Sequence, residues 1–165
     1  MKYLIKIVFF FCFAVSTAQV KLELTPQGFT PIEVEMPKKS FDKIIEVSKS
    51  WSALYNRKTN DVFDVTQNSL SIQAYNEYAY YFWNLGEKYN YDIKYILSIK
   101  VVENQKYMLT FKVDEILKEN VLTKTTTTDF FTTEGTVKQE YEESKQSLES
   151  TVNKIVNSYV DFIAR

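Results

Sequence analysis

Residues 92–116 of the sequence read DIKYILSIKVVENQKYMLTFKVDEI. Apolar residues occupy every second position in both halves of this stretch, from Ile93 to Val101 and from Tyr107 to Val113. Alternation with a period of two is typical of half-buried strands, and the polar residues 103–106 form a loop of hairpin length. The pattern predicts a long antiparallel hairpin whose polar face carries Lys94, Lys100 and Lys112.

Shorter strand candidates precede this hairpin. Residues 32–36 (IEVEM) alternate apolar and charged side chains, and residues 70–75 alternate in the same way. Residues 62–65 form a short candidate, and residues 78–85 (YAYYFWNL) are apolar and aromatic enough to form another, with a turn at 86–88. Several adjacent strands with no helix between them favour an antiparallel sheet over a parallel one.

Two segments carry helical patterns. Ser40 is a suitable N-cap for a helix, because its hydroxyl can accept a hydrogen bond from an early unpaired backbone N–H. The apolar stripe of this helix recurs at spacings of three and four residues and comprises Phe41, Ile44, Ile45, Ser48, Trp51, Leu54 and Tyr55. A second stripe near the C-terminus comprises Leu148, Val152, Ile155, Tyr159 and Phe162. The element order predicts an α+β two-layer sandwich with both helices on one face of an antiparallel sheet.

The first eighteen residues have the order of a secretory signal peptide. Lys2 and Lys6 precede the apolar run 7–15, and Ser16, Thr17 and Ala18 supply small residues for cleavage after Ala18. The run of nine apolar residues is shorter than the roughly 20 that span a membrane, which disfavours an anchor. Lipidation at Cys12 is disfavoured because three phenylalanines precede it. The sequence predicts export to the periplasm, the outer surface or the medium.

The remaining chain divides into an extended arm and one domain. We predict the arm at 19–31 and a single α+β domain at 32–165 with no membrane span. Within the domain, a core at 32–117 is followed by a threonine-rich loop at 118–136 and a long helix at 137–164.

The composition excludes several chemistries. The chain contains no His, and its single Cys lies in the predicted signal peptide, so neither imidazole nor thiolate is available to the exported form. The three glycines are too widely spaced for a phosphate-binding loop. We therefore predict no catalytic residue, no metal ligand and no cofactor. Twenty-one acidic residues against 20 basic ones, with lysines dispersed among acids, also disfavour nucleic acid as a partner.

Carboxylates are the remaining candidates for catalysis or calcium binding. Three pairs are close in sequence, and a hydrolase of envelope polymers would use one of them: Glu33 with Glu35, Asp61 with Asp64, and Asp114 with Glu115. Asn60, Asp61 and Asp64 are the nearest approach to a calcium site, but they lack the spacing of an EF-hand loop. The usual alternative for each pair is a solvated strand or turn.

Aromatic residues are concentrated between Tyr75 and Tyr95. In a strand, Tyr78, Tyr80 and Phe82 would lie on one face and Tyr81 and Trp83 on the other. Because a two-layer fold buries only one face, some of these rings would contact solvent or a partner. We predict a candidate interaction surface for a protein or a glycan at Tyr75, Tyr78, Tyr80 and Trp83. The alternative is that the cluster packs under the C-terminal helix or the threonine-rich loop.

With these features assembled, the chain resembles a family of small bacterial exported domains of unknown function with a TATA-binding-protein-like (TBP-like) fold. The resemblance rests on the signal ending Ala18-Gln19, the IEVEM strand, the helix SFDKIIEVSKSWSALY at 40–55 and the hairpin at 92–116. It covers roughly residues 32–117. It implies the fold but no site residue, and a TBP-like fold does not by itself imply DNA binding.

These observations favour a non-catalytic binding or interaction module of the cell envelope, with an envelope protein or glycan as its partner. Two alternatives stay open at this point. One is the carboxylate-based hydrolase, and the other is an assembly accessory that docks through its C-terminal helix.

Overall fold

The computed structural model describes residues 19–56, 58, 60–103 and 105–165, so the predicted signal peptide and its cleavage site lie outside the described residues. Within these residues, eight strands and two α-helices follow one another. Their bounds are β1 Leu24–Thr25, β2 Gly28–Phe29, β3 Ile32–Glu35, α1 Phe41–Tyr55, β4 Asn60–Phe63, β5 Ser69–Asn84, β6 Glu87–Val102, β7 Lys106–Lys118, β8 Val121–Leu122 and α2 Glu142–Ala164.

The main sheet is antiparallel and has the strand order β3-β7-β6-β5-β4, with β8 paired to the end of β7. The small pair β1-β2 forms a separate hairpin. Both helices pack on the same face of the main sheet, which confirms the predicted α+β sandwich. The burial pattern shows this face clearly, because Ile93, Tyr95, Leu97 and Ile99 of β6 are buried while the alternating residues of that strand are not.

The hairpin at 92–116 is confirmed. Leu97 pairs with Phe111 and Ile99 pairs with Leu109, so apolar side chains of the two strands meet on the helix-covered face. Strand β6 is longer than predicted because it begins at Glu87 and pairs with β5 before it reaches β7.

Helix α1 begins where the sequence predicts. The Ser40 hydroxyl accepts a hydrogen bond from the Lys43 N–H at 3.3 Å, as an N-cap does. Trp51 is fully buried, and its indole N–H donates to Ser158 Oγ of α2 at 3.1 Å. Leu54 and Tyr55 are exceptions to the predicted stripe, since 67% and 55% of these residues are exposed at the end of the helix.

Strand β5 differs from the prediction. The segments 70–75 and 78–85 are one continuous strand rather than two, interrupted only by a bulge between Asn76 and Tyr80. The turn to β6 is Leu85-Gly86, so Glu87 and Lys88 belong to a strand and not to the turn. Both turn residues have positive φ, +50° and +82°, as a two-residue hairpin of the type I′ class requires.

The threonine-rich region is more ordered than a loop. Its residues Thr127–Phe130 form a 3-10 turn, and Phe131 bridges to Val137. Phe130 is fully buried and Phe131 nearly so, which attaches the region to the core. The sequence pattern missed this because two adjacent apolar residues among threonines have no recognisable period.

Helix α2 begins at Glu142 after a 3-10 turn at Gln139–Tyr141, slightly later than predicted. Its apolar stripe is buried against the sheet and comprises Leu148, Val152, Ile155, Val156, Tyr159 and Ile163. The Tyr159 hydroxyl shares a hydrogen bond of 2.9 Å with Ser48 Oγ of α1, which links the two helices inside the core. Within the described part of the chain, neither helix combines the length and apolarity needed to cross a bilayer.

The N-terminal arm is held by a ladder of side chains on α2. The backbone N–H groups of Val20, Leu22 and Leu24 donate to Asn157, Asn153 and Glu149 at 2.7–2.9 Å. The same two asparagine amides donate back to the carbonyls of Val20 and Leu22 at 2.7 and 3.0 Å. Every second residue of an extended arm rises about 6.6 Å, and every fourth residue of a helix rises about 6 Å. These spacings match, so alternate arm residues meet successive turns of α2.

We expect Asn153→Ala to lower the free energy of unfolding by about 2–3 kcal/mol. Leu22 is fully buried, and the substitution leaves both its N–H and its carbonyl without the Asn153 partner. Denaturant unfolding measures the change, and Lys154→Ala at the neighbouring exposed position is the control. Equal stability of the two variants would contradict the conclusion that the Asn153 hydrogen bonds hold the arm to α2.

Candidate functional site

The face of the sheet opposite the helices is where we expect a binding site, because both helices pack on the other face. On this outer face, Ser71 pairs with Ser98 and Gln73 pairs with Ile96 across β5 and β6. These residues are half-buried or exposed, whereas their inward neighbours Ile72 and Leu97 are completely buried. The outer face is therefore the surface that the sheet presents to solvent.

The bulge in β5 decides which aromatic rings reach that surface. Asn76 pairs with Ile93 and Tyr80 pairs with Tyr91, so three residues of β5 stand opposite Asp92 alone. Strand β5 thus has two more residues here than β6. Because side chains change face at every residue, an even number of extra residues leaves the later part of β5 in phase with the earlier part. As a result Tyr80 returns to the inner face, on the same side as Leu70 and Ile72.

Inside the bulge, alternation fails for two residues. Tyr78 would face inward by simple counting, but its φ of +52° turns the ring outward and leaves 70% of the residue exposed. Ala79 would face outward and is instead buried. A left-handed φ is uncommon for a bulky residue, so this conformation requires specific support.

Asp92 provides that support from the neighbouring strand. Its Oδ1 accepts the Tyr78 backbone N–H at 2.8 Å, and its Oδ2 accepts the Tyr75 hydroxyl. Partial burial, followed by the hydrogen bond and charge of Asp92, raises the pKa of the Tyr75 phenol well above its ordinary value. The phenol therefore keeps its proton, and its hydrogen bond to Asp92, to a higher pH than an ordinary tyrosine would.

The four predicted surface residues have different positions. Tyr78 and Trp83 are exposed, at 70% and 48%, and Tyr75 is half-buried on the outer face. Tyr80 is 98% buried, so its place in the predicted surface is wrong. The physical reason is that the bulge adds two residues to β5, an even number, so Tyr80 stays on the same inner face as Leu70 and Ile72. Tyr81, which the predicted surface omitted, lies beside Trp83 with ring centroids 6.4 Å apart.

The inward rings pack as the alternative interpretation expected. Tyr80 stacks on Tyr91 at 4.9 Å and meets the edge of Phe130 at 5.4 Å. Phe130 stacks in turn on Tyr141 at 4.7 Å, so the threonine-rich region covers this end of the inner face. The aromatic concentration thus divides into a core half and a surface half.

The surface half continues to the tip of the β5-β6 hairpin. Leu85 has a φ of +50° and is 97% exposed, which places a large aliphatic side chain at the outermost turn. We call Tyr75, Tyr78, Tyr81, Trp83 and Leu85 the hairpin-end surface. Exposed Val121 and Leu122 follow Asn120, which lies within 3.4 Å of the Tyr75 hydroxyl.

A recess of about 310 Å³ lies next to Tyr78, where β6 continues past the end of its pairing with β7. We call it the notch. The bulge, β6 and the β7–β8 turn all contribute to its walls. The lining residues are Glu77, Tyr78, Lys88, Tyr89, Asn90, Asp92, Lys118, Glu119 and Asn120.

Three of the six acids in the predicted carboxylate pairs form ion pairs with lysines. Glu33 accepts from Lys106 at 3.2 Å, Asp114 from Lys112 at 2.9 Å, and Glu115 from Lys94 at 2.6 Å. Glu35 is the last residue of β3, and Asp61 and Asp64 are exposed within β4 and directly after it. Among the described residues, no three acidic side chains come close enough together to hold a metal ion.

A second, larger cavity of about 580 Å³ opens between the arm, β3 and the end of α2. Most of its lining is apolar and includes Ile32, Val34, Met36 and Val160. Tyr107 also lines it, and the buried Tyr107 hydroxyl has no hydrogen-bond partner among the described residues. This cavity is an opening at the edge of the core.

Comparisons with known proteins bear on the fold. No protein-family model matches the chain, and no curated protein matches it. Among solved structures, it is similar to the crystal structure of a TBP-like protein from Parabacteroides distasonis, with a TM-score of 0.54 and 15% sequence identity. The match covers 81% of this chain and 90% of that chain.

The chain therefore has a TBP-like α+β fold, similar to that of a bacterial protein. At 15% identity the likeness shows the fold alone, and no residue of the hairpin-end surface or the notch takes a role from it.

Proposed function

We propose that this chain is an exported, non-catalytic binding module of the bacterial cell envelope that contacts its partner through the hairpin-end surface. The exposure of Tyr78 in a left-handed conformation carries the proposal. This conformation costs of order 1–3 kcal/mol in a bulky residue, and the Tyr78 side chain does not return that cost by packing in the core. Such strain is concentrated at functional sites.

The composition of the surface supports the same proposal. Tyr and Trp present large rigid areas at low entropic cost, and Trp83 lies near the end of β5, between Tyr78 and the hairpin turn. Exposed apolar residues close together, unlike single scattered ones, mark interaction sites. The signal pattern at 1–18 supports the exported location in this proposal.

The two alternatives have less support. A carboxylate hydrolase needs two acids facing one cleft at roughly 5–9.5 Å, whereas Glu33, Asp114 and Glu115 are each engaged with a lysine on an open surface. An accessory that docks through its C-terminal helix needs a free apolar stripe, and the stripe of α2 is already buried in its own domain.

Export makes a direct prediction about the N-terminus. When the full chain is expressed in a bacterium, we expect the form recovered outside the cytoplasm to begin at Gln19, because small residues stand at −3 and −1 of this bond. N-terminal sequencing identifies the first residue. Ala18→Phe is the matched change and should reduce processing. A product that retains residues 1–18 in the cytoplasm would contradict export.

The binding surface makes a second prediction. We expect the immobilised mature protein to retain a component of a bacterial envelope extract, and the double substitution Tyr78→Ser and Trp83→Ser to reduce retention at least about tenfold. Loss of two exposed anchor rings removes more than the 1.4 kcal/mol that a tenfold change requires. Quantitative mass spectrometry and glycan analysis of the eluates measure retention.

Val65→Ser is the control, because Val65 is also exposed, at 44%, but follows β4 at the other end of the sheet. Thermal unfolding of all variants verifies that they are folded. Equal retention by wild type and the double variant, or no retained component at all, would rule out the hairpin-end surface as the binding site.

A further inference from the structure

We propose that the notch is a binding site for a neutral sugar ring, with Tyr78 as the platform on which the ring stacks. This inference rests on the proposed binding function and selects a glycan over a protein as the partner.

The size of the notch fits a small ring better than a protein surface. Its volume of about 310 Å³ is at the lower end of the range for small-molecule sites. Three separate chain segments wall it: the bulge residues Glu77 and Tyr78, the β6 residues 88–92, and the turn residues 118–120. A concave site assembled in this way encloses one ligand unit at a time.

The charges in the notch are balanced. Three carboxylates, Glu77, Asp92 and Glu119, line it together with the ammonium groups of Lys88 and Lys118. Lys58 pairs with Glu77 and brings a third positive charge to its edge. A phosphate or other anion would meet three carboxylates, and a cation would meet three lysines. Balanced charge therefore favours a neutral ligand.

The remaining lining groups select a polyhydroxylated ligand over an apolar one. Asn90 and Asn120 each offer an amide donor pair and a carbonyl acceptor. The Asn120 carbonyl lies 3.4 Å from the Tyr75 hydroxyl, and its amide NH₂ is left to donate elsewhere. The Asn90 side chain makes no hydrogen bond to another described residue. Sugar hydroxyls donate and accept, so they match both amides and both kinds of charged group.

The aromatic rings around the notch differ in availability. Lys118 Nζ lies over the Tyr89 ring at 3.8 Å, and Lys88 Nζ lies over the Tyr81 ring at 4.1 Å. Among the described residues, no ring or ammonium group stacks on Tyr78. Its face is thus open to the weakly positive C–H groups of a sugar, which the electron-rich face of an aromatic ring attracts.

A protein partner fits this part of the surface less well. The centre of a protein interface is depleted of charged residues, whereas five of the nine residues lining the notch are charged. Trp83 pairs with the notch residue Lys88 without lining the notch, so a second sugar of the same chain would meet its ring.

The test is titration of the mature protein with two neutral oligosaccharides, cellohexaose and chitohexaose, and with an anionic one, oligogalacturonate. Tryptophan fluorescence provides the signal, because Trp83 pairs with the notch residue Lys88 and should respond to a ligand there. The second tryptophan, Trp51, is fully buried in the core. We expect saturable binding of a neutral oligosaccharide that changes little between 50 and 500 mM NaCl, since no ion pair is made.

Two substitutions locate the binding site. Tyr78→Ala removes the platform and Asn90→Ala removes an amide, and each should weaken binding about tenfold while Val65→Ser leaves it unchanged. Calorimetry on the same proteins provides a measurement that does not depend on Trp83. Thermal unfolding verifies that each variant is folded.

The outcomes separate this inference from the proposed function. Failure of both neutral oligosaccharides to bind, preference for the anionic one, or binding that Tyr78→Ala does not weaken would each overturn the sugar site. If the protein then still retains an envelope protein in a Tyr78-dependent manner, the proposed binding function stands and its partner is a protein. If nothing is retained from the envelope extract either, both fall.

Discussion

The covering of only one sheet face is the constraint on which the rest of this structure depends. Two helices and the N-terminal arm bury the inner face, so the strands place their apolar side chains on that face by alternation, except at bulges. Strand β5 carries more aromatic residues than one face holds, and its two-residue excess opposite Asp92 keeps the residues beyond the bulge in phase with those before it. Tyr80 therefore stays on the inner face, whereas the bulge itself turns Tyr78 out to the surface.

Asp92 has a double role in this arrangement. Its carboxylate holds the strained Tyr78 backbone and the Tyr75 hydroxyl, and the same residue lines the notch. Because the Asp92 carboxylate both fixes the Tyr78 backbone and lines the notch, the position of the Tyr78 ring depends on a group that belongs to the notch itself. Bulges commonly re-aim a side chain in this way next to functional sites.

Much of the fold follows from local sequence patterns. The alternation at 93–101 and 107–113 predicts the β6-β7 hairpin because residues 95–101 pair in register with 107–113 and turn their alternate apolar side chains to one face. The stripe from Leu148 to Tyr159 predicts α2 because those residues make one side of a helix. The asparagine ladder was not predictable, since Asn153 and Asn157 read as ordinary polar positions until the arm is placed beside them.

The candidate site was predicted only in part. Tyr75, Tyr78 and Trp83 could be selected as aromatic excess, but the outward turn of Tyr78 depends on a bulge whose support comes from a different strand. The inward position of Tyr80 follows only once 70–75 and 78–85 are known to form one strand. The notch combines residues from three segments that are distant in sequence. One signal was available, because aspartate is depleted in strands and Asp92 interrupts a strand-forming run.

Strand β5 exposes Tyr78 and Trp83 and buries Tyr80. Hydroxyl-radical footprinting with residue-level mass spectrometry tests this arrangement most directly. We predict strong modification of Tyr78 and Trp83 and protection of Tyr80 in the folded protein, with all three modified alike after unfolding. Modification of Tyr80 at the rate of Tyr78 in the folded protein would contradict the arrangement of β5 and with it the notch.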